Sequence, residues 1–133
     1  MGKGYNKKSK KNRREQHFVA RDLMLAISMC HNVTPVYTRE NGSEVKELQA
    51  SSPDEVALVR FGDLLGMELV NREESMIVIR NSILKHEEYQ ILANFPFSSE
   101  TKRMGIILRD KKTSKIVLYV KGADTVMVNK IKP

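Results

Sequence analysis

A single cysteine, Cys30, is all the thiol this chain carries, so no internal disulfide can form. The fold must rest on packing, which suits a reducing compartment. No apolar run approaches the ~20 residues that span a bilayer, and the basic start lacks the apolar stretch of a secretory signal. Gly2 follows Met1, but Asn6 stands where a myristoylation signal needs Ser or Thr. A soluble, cytosolic piece is expected. Acids are missing from the first 14 positions, which hold seven of the 23 Lys and Arg residues; the other 16 meet 16 Asp and Glu. The net charge of +7 therefore belongs to the tail, and the body is neutral.

Several chemistries are missing too. There is no Gly-x-x-x-x-Gly-Lys-Ser/Thr loop and no Gly-x-Gly-x-x-Gly after a strand, which removes the two commonest phosphate cradles. His17, His31 and His86 are scattered, and Cys30-His31 has no second pair to complete a zinc site. No serine sits in a nucleophile elbow, and no internal repeat is visible.

What remains is one domain's worth of chain: 133 residues, 41% apolar. Residues 1–16 are polar and self-repelling and read as a disordered linker, with contact to anionic lipid or RNA as the alternative. Residues 17–133 form the domain. Val19, Leu23, Ala26, Ile27 and Cys30 recur at helical spacing and predict one apolar helix face, ending near His31-Asn32. Thr38 to Glu47 is polar around Asn41-Gly42, a hairpin tip or a surface loop. Ser52-Pro53-Asp54-Glu55 is a helix start with a capping box, which gives Glu55 a structural role. Val56, Val59 and Leu64 carry that helix to about Leu65, where Gly66 stops it.

Strands follow. Runs at 67–70 and 76–80 are short and β-rich, and Tyr89, Ile91, Ala93, Phe95 and Phe97 alternate as a half-buried strand should. Met104, Ile106 and Leu108 continue the alternation, 109–114 is a charged turn, 116–120 a strand and 123–130 a short helix. Short polar turns between strands favour an α+β fold, a twisted antiparallel sheet flanked by helices.

Four segments carry more information: Cys30-His31-Asn32-Val33-Thr34-Pro35-Val36, Ala50-Ser51-Ser52-Pro53-Asp54-Glu55-Val56-Ala57-Leu58-Val59, Phe97-Ser98-Ser99-Glu100-Thr101-Lys102-Arg103-Met104 and Lys121-Gly122-Ala123-Asp124. In order and spacing they resemble the nucleotide-binding domain of P-type ATPases, over about Leu23 to Met127. The Ser-Pro-Asp-Glu and Lys-Arg-Met forms resemble the phospholipid flippases more than the cation pumps. The Cys-His-Asn-Val-Thr-Pro form resembles the flippase subgroup thought to work without an accessory subunit.

The resemblance implies a domain that presents ATP, with Mg²⁺ on its phosphates, to an aspartate on a separate phosphorylation domain. It implies that Phe97 stacks on adenine, an alternative to a place beside Phe95 in the core; Pro96 already argues for a strand edge or bulge there. Lys121 would line the nucleotide slot, with Gly122 permitting close backbone approach, against the plain reading of a snorkelling strand-end lysine. Lys102 would approach the phosphates, and Glu55 would accept from the adenine amino group. Ser99 and Arg103 lie nearby, and Arg103 could equally pair with Glu73-Glu74 or Glu87-Glu88. Cys30-His31 and Pro53 read as packing and turn elements.

Two departures qualify the resemblance. Flippases often carry Arg where Thr101 stands here, and the chain stops at Pro133, before a later family segment with a further arginine and the last strands of the sheet. The Asp-Lys-Thr-Gly phosphorylation sequence and the transmembrane segments are absent. The expectation is a domain that binds ATP weakly and is catalytically inactive alone, reaching phosphorylation and actuator domains and a membrane only through a parent, with no nucleic acid. The alternatives are a polybasic tether for lipid or RNA and the equivalent domain of a cation pump.

Overall fold

The computed structural model describes residues 15–133, so the expected tail lies almost wholly outside the described residues. The first helix, α1 (Gln16–Met29), starts at the last position assigned to that tail. Its buried side chains are Leu25, Ser28 and Met29, whereas Val19 and Leu23 are exposed. The predicted stripe is thus corrected: much of it points outward. The face that packs is set by a close helix crossing, since a Cβ on Gly62 would lie 2.6 Å from Ser28 Oγ. A serine against a glycine lets two backbones approach, a contact that apolar periodicity does not register.

The polar stretch after α1 is a hairpin of β1 (Thr34–Glu40) and β2 (Ser43–Gln49). Asn41 and Gly42 both take positive φ, 50° and 80°, the pattern of a two-residue type I′ turn. The hairpin is tied to the main sheet through the Tyr37 hydroxyl, which donates to the Val70 carbonyl at 2.6 Å, and the Lys46–Glu68 ion pair at 3.2 Å.

Helix α2 (Pro53–Leu64) begins as its sequence predicts: Pro53 opens it and Ser52 Oγ accepts from the Asp54 N–H at 3.2 Å. Val59 faces the core, but Leu64 is exposed. Gly66 follows at φ 89°, a conformation few side chains accept.

The main sheet is an antiparallel meander of β3 (Glu68–Arg72), β4 (Met76–Arg80), β5 (His86–Phe95), β6 (Arg103–Asp110) and β7 (Ile116–Gly122), in that spatial order. Leu69, Ile77, Ile79, Tyr89, Met104, Ile106 and Leu108 line its inner face and pack with Leu25 and Met29 of α1, Val59 of α2 and Val33 between α1 and β1. The fold is α+β with antiparallel sheets, as expected. A short helix α3 (Asp124–Met127) and a 3-10 turn (Val128–Lys130) follow β7. On β7, Ile116, Leu118 and Val120 point away from the core and are exposed.

The uniform alternation expected along 89–97 breaks at a bulge. Ile91 pairs with Leu108 but Ala93 with Ile107, which leaves Leu92 as an extra residue. One inserted residue exchanges the two faces of the strand. Tyr89 is buried, Asn94 pairs with inward-facing Ile106, and Phe95 is turned out and exposed. The strand ends at Phe95, and Phe97 lies in the following connection. Among the described residues no helix is long and apolar enough to cross a membrane.

Candidate functional site

In this meander the ends of β3, β5 and β7 and the start of β6 share one end of the sheet. The start of α2 and the turn after α1 arrive at the same end. Glu55 and Lys121 meet there, with Lys121 Nζ 3.1 Å from Glu55 Oε1. The Glu55 side chain is the more covered of the two, and its Oε2 accepts from the Asn32 N–H at 3.4 Å. The predicted capping box is therefore only half formed: Ser52 caps the helix, while Glu55 turns away from it. An ammonium and a backbone amide together hold the carboxylate more strongly than one helix-end N–H would.

Lys121 pairs with Met104 across the sheet, which aims it at the inner side. Its stem is partly exposed, but the nitrogen is covered, and among the described residues no acceptor is aligned with it as a hydrogen bond. The ion pair supplies Coulombic attraction and leaves the ammonium's directional bonding unused. Next to it, Gly122 pairs with Arg103; a Cβ there would stand 2.8 Å from both the Lys102 carbonyl oxygen and Arg103 Cβ. Only glycine fits that approach. The Ala123 N–H donates to the Lys102 carbonyl at 3.1 Å, closing the contact.

Lys102 takes φ 52° at the end of a tight turn whose Ser98 carbonyl accepts from the Lys102 N–H at 2.8 Å. Thr101 serves that turn itself, since its N–H donates to Ser98 Oγ at 3.1 Å and its hydroxyl lies 2.7 Å from the same oxygen. Phe97, 62% exposed, precedes this turn, and among the described residues no aromatic ring stacks on it. Ser99 is exposed within the turn. Among the described residues Arg103 makes no ion pair with Glu73, Glu74, Glu87 or Glu88; Arg21 holds Glu87 at 2.7 Å and Lys111 holds Glu88 at 3.2 Å. The geometry thus joins Glu55 with Lys121, and Lys102 and Arg103 with Gly122, while Phe97 is exposed in the connection after β5.

Residue reasoning missed the framework beneath. Asn32 Oδ1 accepts from Asn94 Nδ2 at 2.8 Å and from an Arg72 nitrogen at 3.4 Å, and the other Arg72 nitrogen donates to the His31 carbonyl. A cleft of about 440 Å³ opens here, lined by Asn32, Thr34, Arg72, Glu73, Glu74 and Asn94. His31 is fully buried, as its reading as a packing element requires. The Val33 N–H donates to Nδ1 at 3.0 Å, so the neutral ring carries its proton on Nε2 and donates to the Ser28 carbonyl at 2.7 Å.

Burial pushes the His31 pKa down to about 3, helped by the charges of Arg72 and Lys121. Below pH ~6.5 the unfolded chain takes a proton that the folded chain refuses. Stability should thus fall between about pH 6.5 and 3 by up to about 1.4 kcal/mol per pH unit, with no contribution above that window. Imidazole ¹⁵N shifts should keep His31 neutral, protonated on Nε2, at pH 5; an imidazolium pattern at that pH in folded protein would contradict the assignment. Burial likewise pushes the Cys30 thiol up, against the lowering effect of Lys121. Among the described residues no three His, Cys, Asp or Glu side chains stand together as metal ligands.

Residues 20–132 match the family model described as P-type ATPase, cytoplasmic domain N. The chain is 47% identical over 115 residues to the phospholipid-transporting ATPase neo1 of Schizosaccharomyces pombe, covering 86% of this chain. It is 48% identical over 106 residues to the probable phospholipid-transporting ATPase tat-5 of Caenorhabditis elegans, covering 77% of it, and 42% identical over 121 residues to the human probable phospholipid-transporting ATPase IIB, covering 80%. In each case the matched region spans about 10% of the relative's length.

Proposed function

Because this chain belongs to the P-type ATPase family, as its cytoplasmic domain N, we propose that it binds ATP where Glu55, Lys121 and Gly122 converge and presents it to a phosphorylation domain of a longer parent. The observation that carries this reading is the largely covered Lys121–Glu55 pair, 3.1 Å apart, at the sheet end where Gly122 lets the Lys102 turn close on β7. A ligand with negative oxygens would compete with the Glu55 carboxylate for that ammonium. Lys102, whose carbonyl meets the same glycine, carries an exposed side chain that can bring a second cation to the phosphates, and Phe97 offers an exposed ring face on which a base can stack. Glu55, released from helix capping, can accept from an exocyclic amino group.

These residues fit a nucleoside triphosphate, and Mg²⁺ would enter on its phosphates. When bound, ATP supplies the transferable phosphoryl group; the part of this chain is to bind and orient it. Relatives named as phospholipid-transporting ATPases support a lipid-moving parent rather than a cation pump, and the family's description as a cytoplasmic domain supports a place on the cytosolic side of its membrane. An amide-resolved titration of the ¹⁵N-labelled chain with Mg·ATP tests the reading. Shifts should cluster at Glu55, Phe97, Lys102, Lys121 and Gly122. A folded sample unperturbed by millimolar ATP would end the proposal.

A further inference from the structure

Two β-bulges converge on one side chain. In β3, Leu69 pairs with Ile79 but Asn71 pairs with Val78, so the strand gains a residue and Arg72 comes to lie opposite inward-facing Ile77. Without that bulge Arg72 would point outward, to water. In β5 the bulge at Leu92 does the same for Asn94, which comes to lie opposite buried Ile106. Both re-aimed residues donate to the same atom, Asn32 Oδ1. The backbone N–H of Asn32 in turn donates to Glu55 Oε2. Bulges interrupt ladder pairing and recur where a side chain must be redirected beside a site.

The charge arrangement is equally specific. Arg72 is half-buried, and its guanidinium hydrogen-bonds two neutral oxygens, the His31 carbonyl and Asn32 Oδ1. Among the described residues no carboxylate forms an ion pair with it, which makes covering its charge costly, and the negative charge that most favours it is that of Glu55. Arg72 therefore places positive potential near Glu55 without occupying either carboxylate oxygen. Oε1 is left to Lys121 or a ligand, and Oε2 to the Asn32 N–H.

We infer that Arg72 and Asn94 are positioning residues that lock the Asn32 peptide and thereby hold the Glu55 carboxylate ready for the amino group of a 6-aminopurine base. The inference rests on the nucleotide reading above and adds to it a means of choosing the base. Its test compares ATP with inosine triphosphate, which carries an oxygen in place of the amino group, on the full 133-residue chain. The wild type should prefer ATP by about tenfold, the scale of one hydrogen bond to a charged acceptor. Arg72→Met and Asn94→Ala should each cut that preference to about twofold or less, while triphosphate-induced shifts at Lys102 and Lys121 persist. Arg72→Lys should fail to restore it, because one ammonium cannot serve both the His31 carbonyl and Asn32 as the forked guanidinium does.

A merely structural role would weaken both nucleotides equally. Asn94 is exposed, so if Arg72→Met does not fold, Asn94→Ala decides the question. Undiminished preference in the folded variants overturns the inference and leaves the nucleotide reading standing. A wild type that binds both nucleotides equally removes Glu55 from base recognition and overturns it as well. A wild type that binds neither ends both.

Discussion

Replacing Phe97 with alanine should weaken ATP binding by about tenfold or more and leave thermal stability unchanged. Stacking of a base on an aromatic ring contributes roughly 1–3 kcal/mol, and each 1.4 kcal/mol is a factor of ten in affinity. Stability should not follow, because the ring is 62% exposed and lies beyond the end of β5, in the connection to β6. Calorimetric titration of the two proteins with Mg·ATP reads the first effect and a melting curve the second. Equal affinities would remove Phe97 from the slot. A large drop in melting temperature would mean that the ring packs against the fold after all. Phe95 makes a useful companion, since it is also exposed but faces the outer side of the sheet; its loss should leave nucleotide affinity as it was.

The second large effect is on stability. His31→Ala should destabilise the domain by about 3 kcal/mol or more, which for a chain of this length lowers the melting temperature by about 10 °C. The imidazole joins the end of α1 to the start of the hairpin: it donates to the Ser28 carbonyl and accepts from the Val33 N–H, with no exposed surface. Alanine would leave both backbone groups unpaired in a covered place and open a void where the ring now sits. Asparagine, whose side-chain oxygen can stand near the position of Nδ1, should recover part of the loss. Urea unfolding of the three proteins at pH 7.5, above the window in which His31 titrates, measures this without interference from protonation. A variant within about 1 kcal/mol of the wild type would contradict the packing role.

The features legible in the sequence are those with a local cause. Asn41-Gly42 demands left-handed backbone twice in succession and makes a tight hairpin wherever strands flank it. Ser52, Pro53 and Gly66 punctuate α2 within a few residues of where it starts and stops. Strand positions are legible as well, because apolar β-rich runs separated by charged turns have few other uses. What stays hidden depends on contacts distant in the chain. The period-two reading of 89–97 assumes an unbroken strand, and a bulge is invisible to it, so it assigns Phe95 and Asn94 each other's faces. The packing face of α1 escapes apolar periodicity because Ser28 against Gly62 is a contact of small residues.

Glu55 illustrates the limit well. Its place in a helix start is plain, and a local rule gives it a local partner, but Lys121 and the Asn32 amide outcompete that partner from elsewhere in the chain. The proposed site residues are reached through four ordered segments of family resemblance. Composition and periodicity alone stop at an α+β domain with a basic tail. Arg72 and Asn94 belong to neither source, since nothing in a strand sequence announces that an extra residue will turn the next polar side chain inward.

The pairing of Lys121 with Glu55 has a consequence for how tightly anything can be held there. The lysine is already engaged, 3.1 Å from a carboxylate of its own chain. An arriving anion does not meet a bare charge; it swaps places with a resident one. The net gain is the difference between two attractions rather than the whole of either, which keeps residence short. On the nucleotide reading proposed above, such a swap favours release, where a site with an unsatisfied charge would cling to what it binds.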